Sequence, residues 1–156
     1  MADDTSWLTP AEMRVWRAWL AAVGQSNLSI SDGLKRSTGM AVEDYEVLVH
    51  LSEADERRLR MSELSKMLHH SQSRLSQRID RLAKQGLVDR EKCPNDRRGT
   101  FAVITPAGFD QLAAAAPHHL SDVRAAVIDH IEPDQLDVVA QVLERIAAAG
   151  ESSVES

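Results

Sequence analysis

Between Met61 and Thr105 the apolar period changes once, at a glycine, and that change restricts the chain to few folds. Leu75, Ile79 and Leu82 are spaced four and three within a mostly polar run. The spacing predicts a helix with one buried stripe and a polar remainder. Gly86 predicts its stop. Beyond it, Leu87-Val88-Asp89-Arg90 and Thr100-Phe101-Ala102-Val103-Ile104 read as two short strands. The polar stretch Glu91 to Gly99 joins them as a long tip, with Pro94, Asn95 and Gly99 as turn residues. Upstream, Ser62 can cap a short helix from Glu63 to Leu68, and Ser71 can cap the polar helix, which reaches about Gln85. Short helix, tight turn, longer polar-faced helix and hairpin together predict a winged helix-turn-helix.

The flanking segments read as helices. Thr9-Pro10-Ala11-Glu12 is a capping box with proline at the first helical position. Val15, Trp16, Trp19, Leu20 and Val23 follow at helical spacing, and the pattern continues through Leu28, Ile30 and Leu34 to Gly39. A second helix covers Val42 to Ala54, and Asp55 to Leu59 reads as a charged turn. Thr105-Pro106 repeats the Thr-Pro start for a helix through Leu112 and Leu120, with Pro117 as a kink or interruption. Glu132-Pro133 begins the last helix, with Leu136, Val139, Val142, Leu143 and Ile146 as its stripe. The fold class is therefore mainly α with a small β-hairpin, a winged helix-turn-helix flanked by helices at both ends. With 156 residues, 43% of them apolar, the chain is long enough for one such domain.

The net charge of −6 hides a partition. Residues 57–100 carry twelve of the eighteen basic residues and five acidic ones, a local +7, and the rest of the chain is left at −13. Each phosphate that a lysine or arginine neutralises releases counterions, so a concentrated basic segment suits DNA. A salt-bridged solvated surface is the plainer reading of the same charges.

In a helix-turn-helix the second helix lies in the major groove with its N-terminal residues near the base edges. With the apolar stripe facing inward, Ser71, Gln72, Ser73, Arg74, Ser76, Gln77 and Arg78 form the candidate DNA-binding set. Arginine suits guanine and glutamine suits adenine, both in bidentate fashion. Arg97 and Arg98 stand at the hairpin tip, where arginine can enter the narrow minor groove. Asp96 is repelled by phosphate and reads instead as the wing support that holds an arginine.

The run Leu82-x-x-x-Gly86-Leu87-Val88-x-Arg90, then Asp96-Arg97-Arg98-Gly99 and Ile104-Thr105-x-x-Gly108, resembles the MarR family of bacterial winged-helix regulators. The resemblance covers about 50 residues closely. It implies a homodimer on a near-palindromic operator, usually a repressor, often released by a small aromatic ligand. It makes Arg98 the wing arginine and Asp96 its partner. It divides the chain into an N-terminal dimerisation helix (1–40), a DNA-binding lobe (41–105), C-terminal dimerisation helices (106–150) and a flexible tail (151–156). The turn departs from the family pattern, with His69-His70 where a small residue and then an apolar one are usual. Physical reasoning also favours a dimer, because one helix and one wing read only a few base pairs and the apolar stripes at both chain ends exceed what a small lobe needs.

Other readings are weighed against this one. A winged-helix module could use the basic face for an acidic protein partner. Cys93, near Lys92 and Arg97, could act as a redox switch, against the plainer reading of an exposed wing cysteine with no such role. His69-His70 and His118-His119 do not suggest a metal site, because adjacent helical positions point about 100° apart and no second cysteine exists. No nucleophile elbow, P-loop or dinucleotide glycine fingerprint is present, so neither catalytic residues nor a cofactor are expected. An effector would sit between the dimerisation helices and the lobe, where Trp16, Trp19 and Tyr45 could contribute, each also readable as core. No apolar run approaches the ~20 residues that span a bilayer, and the acidic start has no secretory pattern, so the expected location is the cytoplasm.

Overall fold

The structure, a computed structural model, describes residues 6–93 and 96–154, with the side chains of 96–98 and 151–154 excepted. Among the described residues, six helices and three strands follow in the order α1 (Pro10–Thr38), α2 (Val42–Glu53), β1 (Arg58–Arg60), α3 (Met61–Met67), α4 (Gln72–Lys84), β2 (Val88–Cys93), β3 (Asp96–Ile104), α5 (Pro106–Ala126) and α6 (Leu136–Val154). Short 3₁₀ turns precede β1 and follow α5. No described helix is long and apolar enough to cross a membrane.

The start of α1 is fixed as its sequence suggests. The Thr9 N–H donates to the Glu12 carboxylate at 2.7 Å, and the Glu12 N–H donates back to the Thr9 hydroxyl at 3.3 Å. Gly39 ends the helix in the left-handed region at φ 74°. Ser71 caps α4 by accepting from the Arg74 N–H at 3.4 Å. At its other end the Gly86 N–H donates to Ala83 (2.9 Å) and the Leu87 N–H to Leu82 (3.0 Å), a Schellman closure with Gly86 at φ 74°. The closure turns the chain straight into β2, with Leu82 and Leu87 both buried.

Several expectations change. The hairpin is part of a three-stranded antiparallel sheet in the order β1-β3-β2, because Arg58, Leu59 and Arg60 of the expected charged turn pair with Val103, Ala102 and Phe101. Three residues reading Arg-Leu-Arg carry too little alternation to announce a strand. The strand leads directly into α3, which begins at Met61 rather than after Ser62, with the Glu63 carboxylate accepting from the Arg60 N–H at 3.3 Å. The expected long tip is shorter, since the β2–β3 ladder continues to Cys93 opposite Asp96 with an irregularity at Lys92/Cys93. Cys93 is buried there at 5% exposure, not exposed, so it lacks the access that a reactive thiol needs.

At the C-terminal end, α5 runs through Pro117 without a break. A turn closed by the Gln135 N–H on Glu132 precedes α6, which starts at Leu136 rather than at Pro133. The core is one cluster in the lobe. Val47, Leu48 and Leu51 of α2, Leu64 of α3, Leu75, Ile79 and Leu82 of α4, and Val88 and Ala102 of the sheet meet Leu34 of α1 and Leu112 and Ala115 of α5.

Candidate nucleic-acid interface

α3, the turn and α4 form the helix-turn-helix. The turn depends on His69 adopting φ 49°, a left-handed conformation uncommon outside glycine and asparagine. The His70 N–H donates to the Ser65 carbonyl at 3.0 Å, and the Ser65 hydroxyl returns a bond to the His70 carbonyl at 2.7 Å. His70 is half-buried, and its ring Nδ1 has no hydrogen-bond partner among the described residues. The two histidines thus have distinct structural tasks.

Along α4 the roles separate by face. Leu75, Ile79 and Leu82 are buried, while Ser71, Gln72, Ser73, Arg74 and Gln77 are exposed at the N-terminal half. Ser76 is half-buried and accepts from Arg90 Nη2 at 2.9 Å through both its hydroxyl and its carbonyl. The same Arg90 nitrogen pairs with Asp80 at 2.9 Å. Arg90 therefore braces β2, the root of the wing, against α4. Sequence reasoning quoted Arg90 as a motif residue without a task; its place on the first strand after the Gly86 stop was the available signal.

Arg78, expected on the groove side, is turned toward α2. Its Nη1 lies 2.6 Å from Asp44 Oδ1, and Arg81 Nη2 reaches the same oxygen at 2.8 Å. Arg58 pairs with Glu56 and Glu91 and lies over the Phe101 ring, and Arg57 lies over Phe109 at 4.2 Å. Several arginines of the basic segment thus pair with carboxylates of the same chain, while Arg74 is exposed.

Between α3, α4 and the wing root lies a polar cleft of about 330 Å³, lined by Arg60, Ser62, Gln72, Ser76, Arg90 and Thr100 among others. Asp96, Arg97 and Arg98 share the backbone of β3, but their side chains lie outside the described residues. The end of β3 is tied back by Thr105, whose hydroxyl donates to the Gly86 carbonyl at 2.7 Å and accepts from the Gly108 N–H at 3.0 Å. A Cβ on Gly108 would stand 2.1 Å from the Leu87 carbonyl oxygen, so only glycine fits. The Gly86, Thr105 and Gly108 of the motif therefore set how the wing and α5 leave α4.

The three aromatic candidates for an effector pocket lie in separate settings. Trp16 is half exposed on α1, and Trp19 lines an apolar hollow of about 710 Å³ with Val127, Ile131, Val139 and Leu143. Tyr45 is buried with its ring centroid 4.4 Å from that of His119. Among the described residues no His, Cys, Asp and Glu side chains gather into a group that could hold a metal.

A short helix packed on a polar-faced one, with a sheet-rooted wing beside them, defines the winged helix-turn-helix class. Comparison with known proteins narrows it. The model of the MarR family matches residues 38–99. The crystal structure of AbsC, a MarR family transcriptional regulator from Streptomyces coelicolor, superposes with a TM-score of 0.89 at 38% identity, covering 95% of this chain and 99% of that one. Sco3205, a MarR family transcriptional regulator from the same organism, solved in complex with DNA, gives 0.87 at 41% identity, covering 93% and 91%. The HTH-type transcriptional repressor YetL of Bacillus subtilis is 26% identical over 105 residues, a match that spans 67% of this chain but only 62% of that protein. The chain belongs to the MarR family of transcriptional regulators.

Proposed function

We propose that this regulator is a homodimeric DNA-binding protein that reads a near-palindromic operator, acts as a repressor and is released by a small aromatic ligand. One observation carries the DNA reading. Gln72, Ser73, Arg74 and Gln77 stand exposed on the first half of a helix whose other face is wholly buried, beside a wing braced to it by Arg90. Those side chains supply the donors and acceptors that base edges require. The cleft between α3, α4 and the wing, with Ser62, Gln72 and Thr100 on its walls, suits a backbone phosphate. Arg97 and Arg98 would extend the contact into the minor groove, with Asp96 orienting them. The DNA complex of the Sco3205 relative and the repressor activity in the name of the Bacillus relative support this reading.

The dimer rests on apolar surface left open at the chain ends. Trp16 and Leu20 of α1 and Val142, Leu143 and Ile146 of α6 are exposed. Residues 1–40 and 106–150 would pair with a second copy, leaving 41–105 as the lobe and 151–156 as a tail. A two-fold axis would place the two α4 helices one DNA turn apart, roughly 34 Å. A ligand lodged between the dimer helices and the lobe would change that separation, provided it binds the free and DNA-bound states with different affinity.

The test is to let the purified protein select duplexes from a fragmented genomic pool, then to measure affinity for the selected duplex across a salt series. Tight binding whose logarithm falls linearly with that of salt, and a preference over a shuffled duplex, is expected. Indifference to every duplex at low ionic strength would overturn the reading.

A further inference from the structure

Apolar packing alone leaves a helix free to roll. The buried stripe of Leu75, Ile79 and Leu82 is held by contacts that have no direction of their own. With side chains reaching about 5–6 Å from the helix axis, a roll of ~20° would displace the groove-facing atoms by about 2 Å. Base reading by bidentate hydrogen bonds does not survive such a shift. Something directional must fix the roll of α4.

Arg90 holds α4 from the wing side, through Ser76 and Asp80, and a second directional contact holds it from α2. Asp44 is 7% exposed, and carboxylates this far from water are uncommon unless paired. One oxygen, Oδ1, accepts from Arg78 Nη1 at 2.6 Å and Arg81 Nη2 at 2.8 Å. Glu43 Oε2, on the next residue of α2, lies 3.8 Å from Arg78 Nη1. Two arginines of α4 and two carboxylates of α2 thus close a charge-balanced clasp. α2 itself packs on α1 and α5, the helices at the base of the lobe.

We propose that Asp44 is a positioning residue for DNA recognition: through Arg78 and Arg81 it sets the roll of α4, so that Gln72, Ser73, Arg74 and Gln77 meet the base edges. This deepens the function proposed above and rests on it. The clasp also withholds two positive charges from phosphate, which trades non-specific attraction for alignment. Its loss therefore harms discrimination more than it harms binding as such.

The experiment compares Asp44→Asn, Arg78→Gln, Arg78→Lys and the double variant Asp44→Asn/Arg78→Gln with wild type. The probes are the duplex that wild type selects from the genomic pool and a shuffled duplex of equal length, at a temperature where thermal melting shows each variant folded. Asp44→Asn and Arg78→Gln should each cut the operator-to-shuffled affinity ratio by roughly tenfold, and the double variant should do no worse than either alone. Arg78→Lys should recover part of the ratio, since an ammonium can still meet the carboxylate. If Asp44→Asn does not fold, Asp44→Glu takes its place: the longer carboxylate displaces both guanidinium groups while keeping the charge, and should cut the same ratio.

Asp44→Asn binding the operator more tightly would show that the carboxylate merely competes with phosphate, and would overturn the proposal. So would a loss confined to the Arg78 variants, which would make Arg78 a direct DNA contact. An equal fall on both duplexes would mark a purely structural role and overturn it as well. A wild type that selects no duplex overturns the DNA reading itself, whereas a selective wild type matched by an equally selective Asp44→Asn overturns the clasp alone.

Discussion

The DNA-reading lobe and the helical ends use their apolar residues in opposite ways. In the lobe, Val47, Leu48, Leu51, Leu64, Leu75, Ile79 and Val88 are fully buried within one cluster. At the ends, Leu20 is 52% exposed and Ile146 49% exposed, although both sit on apolar helical stripes. A lone surface leucine needs no explanation. A row of them along α1 and α6, beside an apolar hollow lined by Trp19, Val139 and Leu143, is a contiguous apolar surface that the single chain leaves open. One chain closes the core of the lobe, and the proposed dimer would cover the ends. Substitutions in the two regions should therefore fail differently.

The largest effect is expected where the single chain shows least reason for it. On a monomer, Leu20→Glu with Ile146→Glu would alter exposed positions and change stability by no more than about 0.5 kcal/mol each. If the ends pair with a second copy, the double variant becomes a monomer by light scattering. Its operator affinity then falls by ~10²–10⁴-fold, because the second half-site no longer binds as part of the same molecule. A variant that stays dimeric with full affinity breaks the comparison. Next comes Ile79→Ala inside the lobe. It removes a fully buried side chain from the stripe of α4 and should cost about 2–5 kcal/mol, read from denaturant midpoints. Its association state should be unchanged wherever it remains folded. A cost below ~1 kcal/mol would mean that the lobe core is looser than its burial indicates.

Within the lobe the sequence revealed some elements and hid others. The stripe Leu75-Ile79-Leu82, the Ser71 cap and the Gly86 stop announced α4, because each rests on local chemistry: period, cap and left-handed backbone. β1 went unread because three residues hold no period; it exists only through its pairing with Phe101, Ala102 and Val103, some 43 positions away. The burial of Cys93 was hidden for a similar reason, since a polar stretch reads as loop until the ladder opposite it is known. On the candidate site, exposure of Gln72, Ser73, Arg74 and Gln77 followed from the stripe by exclusion. Exclusion could not place Arg78, because a helix face adjoining α2 and a face adjoining DNA carry the same kinds of residue. Only the position of Asp44, 34 residues earlier, decides between them. The glycines of the motif were visible, but the reason for Gly108, the Leu87 carbonyl pressed against it, was not.

A smaller effect is expected at the wing. Arg98→Ala should weaken operator binding by ~1–3 kcal/mol if the side chain contacts a base. If it meets only phosphate, the loss should be nearly the same on operator and shuffled duplexes, with a shallower salt slope. Either outcome leaves dimerisation and lobe stability untouched, which keeps it apart from both variants above. No change in affinity or in slope would remove Arg98 from the interface.

The smallest effect probes the seam between the two regions. His119 of α5 lies against Tyr45 of α2, and neither His119 Nδ1 nor Asp122 Oδ2 finds a hydrogen-bond partner among the described residues. Burial lowers the proton affinity of His119 below its ordinary value of 6.5, while Asp122 and Glu46 pull the other way. Above that value the ring is neutral in both folded and unfolded chains, and its packing contributes in full. As the pH falls below it, the unfolded chain takes up a proton that the folded chain resists, so stability declines until the lowered folded value is passed. His119→Gln has no such titration. The other five histidines are common to both proteins, so the difference between their stability profiles isolates this ring. Denaturant midpoints from about pH 5 to about pH 8 should slope less on the acid side for the variant than for wild type. Identical slopes would mean that burial of the ring does not outweigh the opposing pull of Asp122 and Glu46.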